Sequence, residues 1–240
     1  MTSPTASARP STHQGTAFHD ESFTRERLAQ CLAEETAPLL FERCRFEGVD
    51  MSHLTLAGCI FSECHLQDAN LVACDLGASR WFHCDAARAD FRSARADAAE
   101  FQACNLGNTR WQNAVIDDAR FIESKLTGAH FGNVKGSGVV FNRSQLFAAH
   151  LRGMGFRKAR IEEVNFAEAD LSQCDFRQAV FVGGSLRDAR VDNADFSLAD
   201  LGATEISGLP LWNNPKFRKA RISLAQAAAL AEEGGLVVDI

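Results

Sequence analysis

The chain has 240 residues, 46% of them hydrophobic, with 25 Lys and Arg against 31 Asp and Glu and a net charge of −6. That length suits one or two domains with a sizeable core, and the acidic balance argues against a generic nucleic-acid binder, which needs a basic surface. No stretch approaches the ~18 apolar residues of a membrane span, and the opening MTSPTASARPSTHQG lacks the apolar run of a secretion signal, so the expectation is a soluble, cytoplasmic protein.

Residues 1–16, rich in Ser, Thr and Pro, read as a disordered tail. Residues 17–38 read as a helical N-terminal cap. Within them the segment 20–35, DESFTRERLAQCLAEE, favours a helix with Leu28, Cys31 and Leu32 on one face and Pro38 just beyond its end. It precedes a long repeat, whose first edge it is expected to cover.

From Phe41 the chain places a large apolar residue at every fifth position, through Phe46, Met51, Leu56 and Phe61 to Leu211. Of the 35 positions in this series only Ala86, Ala96 and Gly136 are small, and no residue is inserted anywhere in it. Two residues before each centre runs a second column of mostly small residues, among them Cys44, Cys64, Ala89, Ala114 and Ala169. A period of five matches neither the 3.6 of a helix nor the 2.0 of a strand. It fits a solenoid in which each pentapeptide makes one flat side and turns a corner, with Gly, Asn, Asp and Ser at many remaining positions. At a period of 20, Phe41, Phe61, Trp81, Phe101, Phe121, Phe141, Ile161, Phe181 and Leu201 should stack as a core ladder. Gly136, in the segment Gly136-Ser-Gly138, marks a kink or a wider side.

Seven of the eight cysteines (Cys44, Cys59, Cys64, Cys74, Cys84, Cys104 and Cys174) hold the small inward position, and only Cys31 lies outside the repeats. Core packing as free thiols is the reading, with disulfides or metal ligation the alternative. His130 and His150 stack on an outward column, but no third ligand accompanies them. No Walker loop, nucleophile elbow or paired catalytic carboxylate is recognisable. Neither a cofactor nor a metal is expected, and catalysis would require a substrate pocket flanked by His130 and His150.

After Leu211 the pattern stops at Trp212-Asn213-Asn214-Pro215, and residues 213–240 read as a helix and strand. Ser223 with Gln226 forms a capping box. Leu224, Ala227, Ala228 and Ala231 make an apolar stripe, Gly234 or Gly235 ends the helix, and Leu236, Val237 and Val238 predict a short strand. Such a cap would cover its own last coil or mate with a twin.

Stretches such as ADLSQCDFRQAVF and NADFSLADLGAT resemble the pentapeptide repeat family over residues 39–212. The resemblance implies an all-β solenoid, a right-handed quadrilateral β-helix with four pentapeptides per coil. Its about nine coils at ~4.8 Å make a rod about 42 Å long. The tail NPKFRKARISLAQAAAL is similar to that of the topoisomerase-directed branch of the family, the Qnr-, MfpA- and AlbG-like proteins. Those proteins dimerise tail to tail, which would give a particle roughly 85 Å long, comparable to about 25 base pairs of DNA. Qnr proteins interrupt the repeat with loops. Here the register never slips, which moves the comparison towards MfpA and AlbG.

Charge is uneven along the repeat. Residues 161–205 hold ten acids (Glu162, Glu163, Glu168, Asp170, Asp175, Asp188, Asp192, Asp195, Asp200 and Glu205) against three bases, a net of −7. Residues 119–160 carry a net of +7 and residues 39–118 a net of −5. Stacked like charges such as Asp175 over Asp195 are unfavourable. A doubled acidic zone at the centre of a dimer would suit a DNA-mimicking surface against the basic saddle of gyrase. The resemblance therefore implies a homodimer that binds DNA gyrase or topoisomerase IV, modulating it or protecting it from a poison such as a quinolone or albicidin. Neither a membrane nor direct nucleic-acid binding is expected. The alternative is a structural or scaffold protein with another protein partner.

Overall fold

The computed structural model describes residues 15–212, 214–235, 237 and 238. Within each pentapeptide, residue i and residue i−2 point inward and residue i+2 turns the corner. The corner residues are left-handed whatever their side chain, as at His53 (φ 62°), Asp68 (58°), Ala73 (55°) and Leu198 (63°), with Ala203 the exception among the described residues. That conformation costs a non-glycine residue roughly 1–2 kcal/mol, and the hydrogen-bond ladder offsets it. The Met51 N–H donates to the Asn70 carbonyl at 2.7 Å, the His53 N–H to Val72 at 3.0 Å, and the Leu54 N–H closes the turn on Met51 at 3.2 Å. The same scheme repeats along the rod, so buried backbone groups find partners without helix or long strand.

Four pentapeptides make a coil. Its sides are residues 39–43, 44–48, 49–53 and 54–58 and their equivalents at steps of 20. The first side carries ten short parallel strands: β1 (Ala17–His19), β2 (Leu40–Glu42), β3 (Ile60–Ser62), β4 (Arg80–Phe82), β5 (Glu100–Gln102), β6 (Arg120–Ile122), β7 (Val140–Asn142), β8 (Arg160–Glu162), β9 (Val180–Ser185) and β10 (Asp200–Glu205). They stack in sequence order, and nine steps of ~4.8 Å give a length of about 43 Å. The other sides are joined by parallel bridges such as Arg45↔His65, Asp50↔Asn70 and Thr55↔Asp75. Among the described residues no helix is long and apolar enough to cross a membrane.

Inside, Phe18, Phe41, Phe61, Trp81, Phe101, Phe121 and Phe141 stack on the first side with ring centroids 4.1–5.6 Å apart. Phe91, Trp111 and Phe131 stack opposite them on the third side. Two facing ring columns leave little volume, so the coil of Trp81 and Phe91 has Ala86 and Ala96 in its remaining two slots, both fully buried. After Phe141 the stack moves to the fourth side, through Phe156, Phe176, Phe196 and Phe217 at 4.7–4.9 Å. The cysteines pack in the interior, where the Cys64, Cys84 and Cys104 thiols donate to Phe41, Phe61 and Trp81 carbonyls at 3.4 Å. Ser124 and Ser144 continue the column with hydroxyls 3.1 Å from the Phe101 and Phe121 carbonyls.

The irregularity at Gly136 is a split of the ladder along two adjacent sides, the fourth and the first, at the place where the ring stack changes sides. β7 and β8 register only at Asn142↔Glu162, and the fourth-side bridges run Val115↔Lys135 and resume at Gly155↔Asp175. The second and third sides stay joined, through Lys125↔Gln145 and His130↔His150. Asp117 holds the loop towards the preceding coil, accepting the Ser137 N–H at 2.8 Å and its hydroxyl at 3.1 Å.

Both ends depart from the expected boundaries. The N-terminal cap of 17–38 is only partly helical. β1 pairs with β2, Phe18 stacks on Phe41 and Phe23 on Phe46, so the repeat pattern already begins at Phe18. Helix α1 (Arg25–Glu34), N-capped by Thr24 and burying Leu28, follows these two sides of the first turn. At the other end the solenoid runs past 212. After one inserted residue Phe217 takes the next core slot over Phe196, Lys219 turns the corner at φ 58°, and Arg221 bridges Asp200. The expected disordered tail lies, for residues 1–14, outside the described residues.

Candidate partner-binding surface

The C-terminal coils carry the ten expected acidic residues, but around the rod rather than on one face. Glu162, Glu163 and Asp200 lie on the first side, Glu168, Asp188 and Glu205 on the second, Asp170 and Asp192 on the third, and Asp175 and Asp195 on the fourth. Successive pentapeptides occupy successive sides, so a charge-rich stretch of sequence is wound around the axis.

Position within the pentapeptide then divides these carboxylates into two groups. At i−1 the side chain folds back onto its own turn. Asp170, Asp175, Asp195, Asp200 and Glu205 accept the backbone N–H two residues on, from Ser172, Arg177, Ser197, Gly202 and Ser207, at 2.9–3.2 Å. Asp50, Asp75, Asp85 and Asp90 do the same elsewhere, and His130 substitutes for them with Nδ1 accepting the Gly132 N–H at 3.2 Å. This Asx-type bond is a local device of the fold. Arg177 also forks Asp175 at 2.6–2.8 Å and with its N–H holds that carboxyl below the usual range. Burial opposes the ionisation of Asp195, but the Ser197 side chain and N–H, helped by Lys216 and Arg177, outweigh it and lower its pKa. The Ser207 N–H and side chain lower Glu205 likewise.

At i+1 and i+2 the carboxylates project outward. Glu163, Glu168, Asp188 and Asp192 are exposed; Asp192 pairs with Arg190 at 2.8 Å and Asp188 sits 3.7 Å from Arg187. Half-buried Glu162 is held by Arg160 and by the Asn142 amide. The second side, with the corner at Glu163, is the most acidic surface of these coils. The fourth side is offset by Arg177, Lys216, Arg218 and Lys219. The net of −7 over 161–205 therefore overstates the local field, because four bases in 216–221 belong to the same coils and Arg221 reaches Asp200 at 3.1 Å.

Helix α2 (Leu224–Glu233) closes the rod. The Ser223–Gln226 capping box forms, and Gln226 Nε2 also donates to the Leu201 and Thr204 carbonyls at 2.8 and 2.6 Å, satisfying two acceptors at the open edge of the last coil. Leu230, overlooked in the sequence because Leu224 defines the stripe, is the residue the helix buries. Leu224 instead points to solvent at 78% exposure, with Ala227, Ala228 and Ala231 half-buried. Trp212 (67%), Ile222 (37%) and Val237 (91%) add apolar surface to this C-terminal region. Val238 is half-buried, and no strand is formed at Val237 or Val238; Leu236 lies outside the described residues.

The His130 and His150 rings stand 4.9 Å apart, and burial, then His150, lowers His130. Among the described residues no group of three or more His, Cys, Asp or Glu is placed to hold a metal ion.

Two family profiles match the chain: one described as a pentapeptide repeat region over residues 39–111, the other as pentapeptide repeats (8 copies) over 114–153 and 159–201. The pentapeptide repeat protein MfpA of Mycobacterium tuberculosis (strain ATCC 25618 / H37Rv) is 31% identical over 91 residues, 38% of this chain and 50% of MfpA. The match thus spans about half the length of that relative. A trypsin-treated form of QnrB1, described as a plasmid-mediated fluoroquinolone resistance protein, superimposes with a TM-score of 0.62 at 19% identity, over 94% of this chain and 98% of that one. Full-length QnrB1 gives a TM-score of 0.58 at 19% identity, over 93% and 99%. At that identity the likeness is one of fold.

Proposed function

From the premise that the chain belongs to the pentapeptide repeat family, we propose that it is a cytoplasmic, non-catalytic binder of a bacterial type II topoisomerase. It would act on DNA gyrase or topoisomerase IV as a DNA-mimicking homodimer joined through its C-terminal caps. The observation that carries this reading is the juxtaposition at one end of the rod. Exposed apolar residues, Trp212, Ile222, Leu224 and Val237, lie beyond coils that project Glu163, Glu168 and Asp188 outward. Unpaired apolar surface at the tip suits self-association, and a twin across it would double the acidic second side along one continuous rod. The resemblance of NPKFRKARISLAQAAAL to the tails of the MfpA- and AlbG-like branch supports the same arrangement, and the 31% identity to MfpA over 38% of this chain supports the likeness to that branch. Modulation of the enzyme, or protection from a quinolone- or albicidin-type poison, follows from competition with DNA for its binding saddle.

The test is a supercoiling assay with purified gyrase, and decatenation with topoisomerase IV, with and without each poison. Inhibition or rescue by the full chain, lost on truncation before Ser223 and in the monomer produced by Leu224→Asp, supports the reading. No effect on either enzyme would refute it. A second reading, a scaffold for another protein, is favoured by the wrapping of acids around all four sides and by the bases of 216–221. It predicts stable capture of a partner other than a topoisomerase with neither enzyme affected.

A further inference from the structure

We propose that the split between residues 136–140 and residues 155–160 is a binding site for a small apolar carboxylate, an aryl or alkyl acid. The split opens a cleft of about 240 Å³. Its apolar lining comes from Val139, Phe141, Phe156, Ile161 and Phe166. The first four keep 3–9% exposure, whereas the corresponding Phe101, Ile116, Ala119 and Phe121 of the preceding coils are wholly buried; Phe181 of the following coil keeps 3%, so Val139 at 9% is the most opened position of the four. Here the core of the rod reaches solvent.

The polar part of the cleft is one-signed. Arg157, Lys158 and Arg160 also line it, and all three are exposed. Arg160 pairs with Glu162; among the described residues Arg157 and Lys158 make no ion pair. The split also strips ladder bonds. The Arg120 and Val180 N–H groups each donate to the preceding coil at 2.9 Å, on Ala99 and Ala159. The equivalent Arg160 N–H has no such partner among the described residues, and neither do those of Gly138 and Gly155. The facing carboxylates are Glu162, held by Arg160, Asp117, held by Ser137, Asp118, which lies against Gly138 from the preceding coil, and Asp175 of the following coil, bridged to Gly155, forked by Arg177 and within the field of Arg157.

Apolar walls, unpaired cations and free N–H donors together select an anion with an apolar body. The volume falls below the ~300–1,000 Å³ of drug-sized pockets, so it admits one or two rings or a medium alkyl chain. A nucleotide or other polyanion would leave the Phe and Val walls unmatched. The site does not depend on the topoisomerase reading, since it lies on the first and fourth sides in mid-rod.

Isothermal titration calorimetry of the full chain with 2-naphthoate and its neutral counterpart 2-naphthylmethanol tests the assignment. The expected result is one naphthoate per chain, bound about tenfold or more tighter than the alcohol. The surface double variant Arg157→Glu with Lys158→Glu, folded by circular dichroism, should lose at least about tenfold for the acid and little for the alcohol. Absence of naphthoate binding, equal affinity for acid and alcohol, or an unchanged affinity in the double variant would overturn it.

Discussion

Gly136→Leu separates the repeat pattern from the structure built on it. In the sequence, position 136 belongs to the column of Leu56, Leu76, Ile116 and Phe156, so a leucine there should fill a vacant slot and contribute about 1.5–3 kcal/mol of burial. The structure reverses the sign. A Cβ on Gly136 would lie 3.0 Å from the backbone carbon and oxygen and the Cγ1 of Ile116, closer than van der Waals contact, and two of those atoms are backbone held by the ladder. The loop cannot easily lift away, because Ser137 is tied to Asp117 by two hydrogen bonds. Overpacking of this kind costs about 1–3 kcal/mol, which in a chain of this size lowers Tm by roughly 2–4 °C per kcal/mol. Differential scanning calorimetry of the variant beside the wild-type chain gives the answer directly. A Tm raised by several degrees would show that the leucine recloses the ladder over Gly155, and the account of the split would be wrong.

Three further outcomes follow from the same geometry. Asp175→Ala and Asp195→Ala should each cost about 0.5–2 kcal/mol, as lost caps do, whereas exposed Asp188→Ala should stay within about 0.5 kcal/mol; urea titrations that rank Asp188 with the other two would contradict the division by pentapeptide position. For the same reason a charge-reversal test of DNA mimicry belongs at Glu163, Glu168 and Asp188, and not at Asp175 or Asp195, whose reversal would disturb the turns. Phe121→Asp places a charge in the wholly buried ring column, and the chain should fail to fold cooperatively; retained β-type circular dichroism with an unchanged melt would refute that. Asp175, Asp195 and Glu205 have lowered folded-state values, so their contribution is complete above the unfolded carboxylate range of about 3.9–4.3. It is lost as pH falls through the folded values. Melting temperatures should hold from neutral pH to about 5 and drop below about 4, and a chain that gained stability on acidification would contradict the sign.

The five-residue period was enough to determine the solenoid, its inward columns and the burial of Phe41 through Leu201, because each pentapeptide repeats the same local geometry and one register serves the whole rod. It also marked Gly136 as an irregular position and Ser223–Gln226 as a helix start, since both signals are local. The ends were less legible: Phe18 and Phe23 are separated from Phe41 by an inserted helix, and Phe217 by one extra residue, so a strict count of five misses them. What only the tertiary structure decided was where charge and space go. Winding distributes ten neighbouring acids over four sides, the i−1 position turns half of them into fasteners of the backbone, and 216–221 returns four positive charges to the same coils. The change of ring column from the first side to the fourth, which coincides with the cleft at Val140 and Arg160, depends on volumes summed across a coil, a quantity that no single pentapeptide contains.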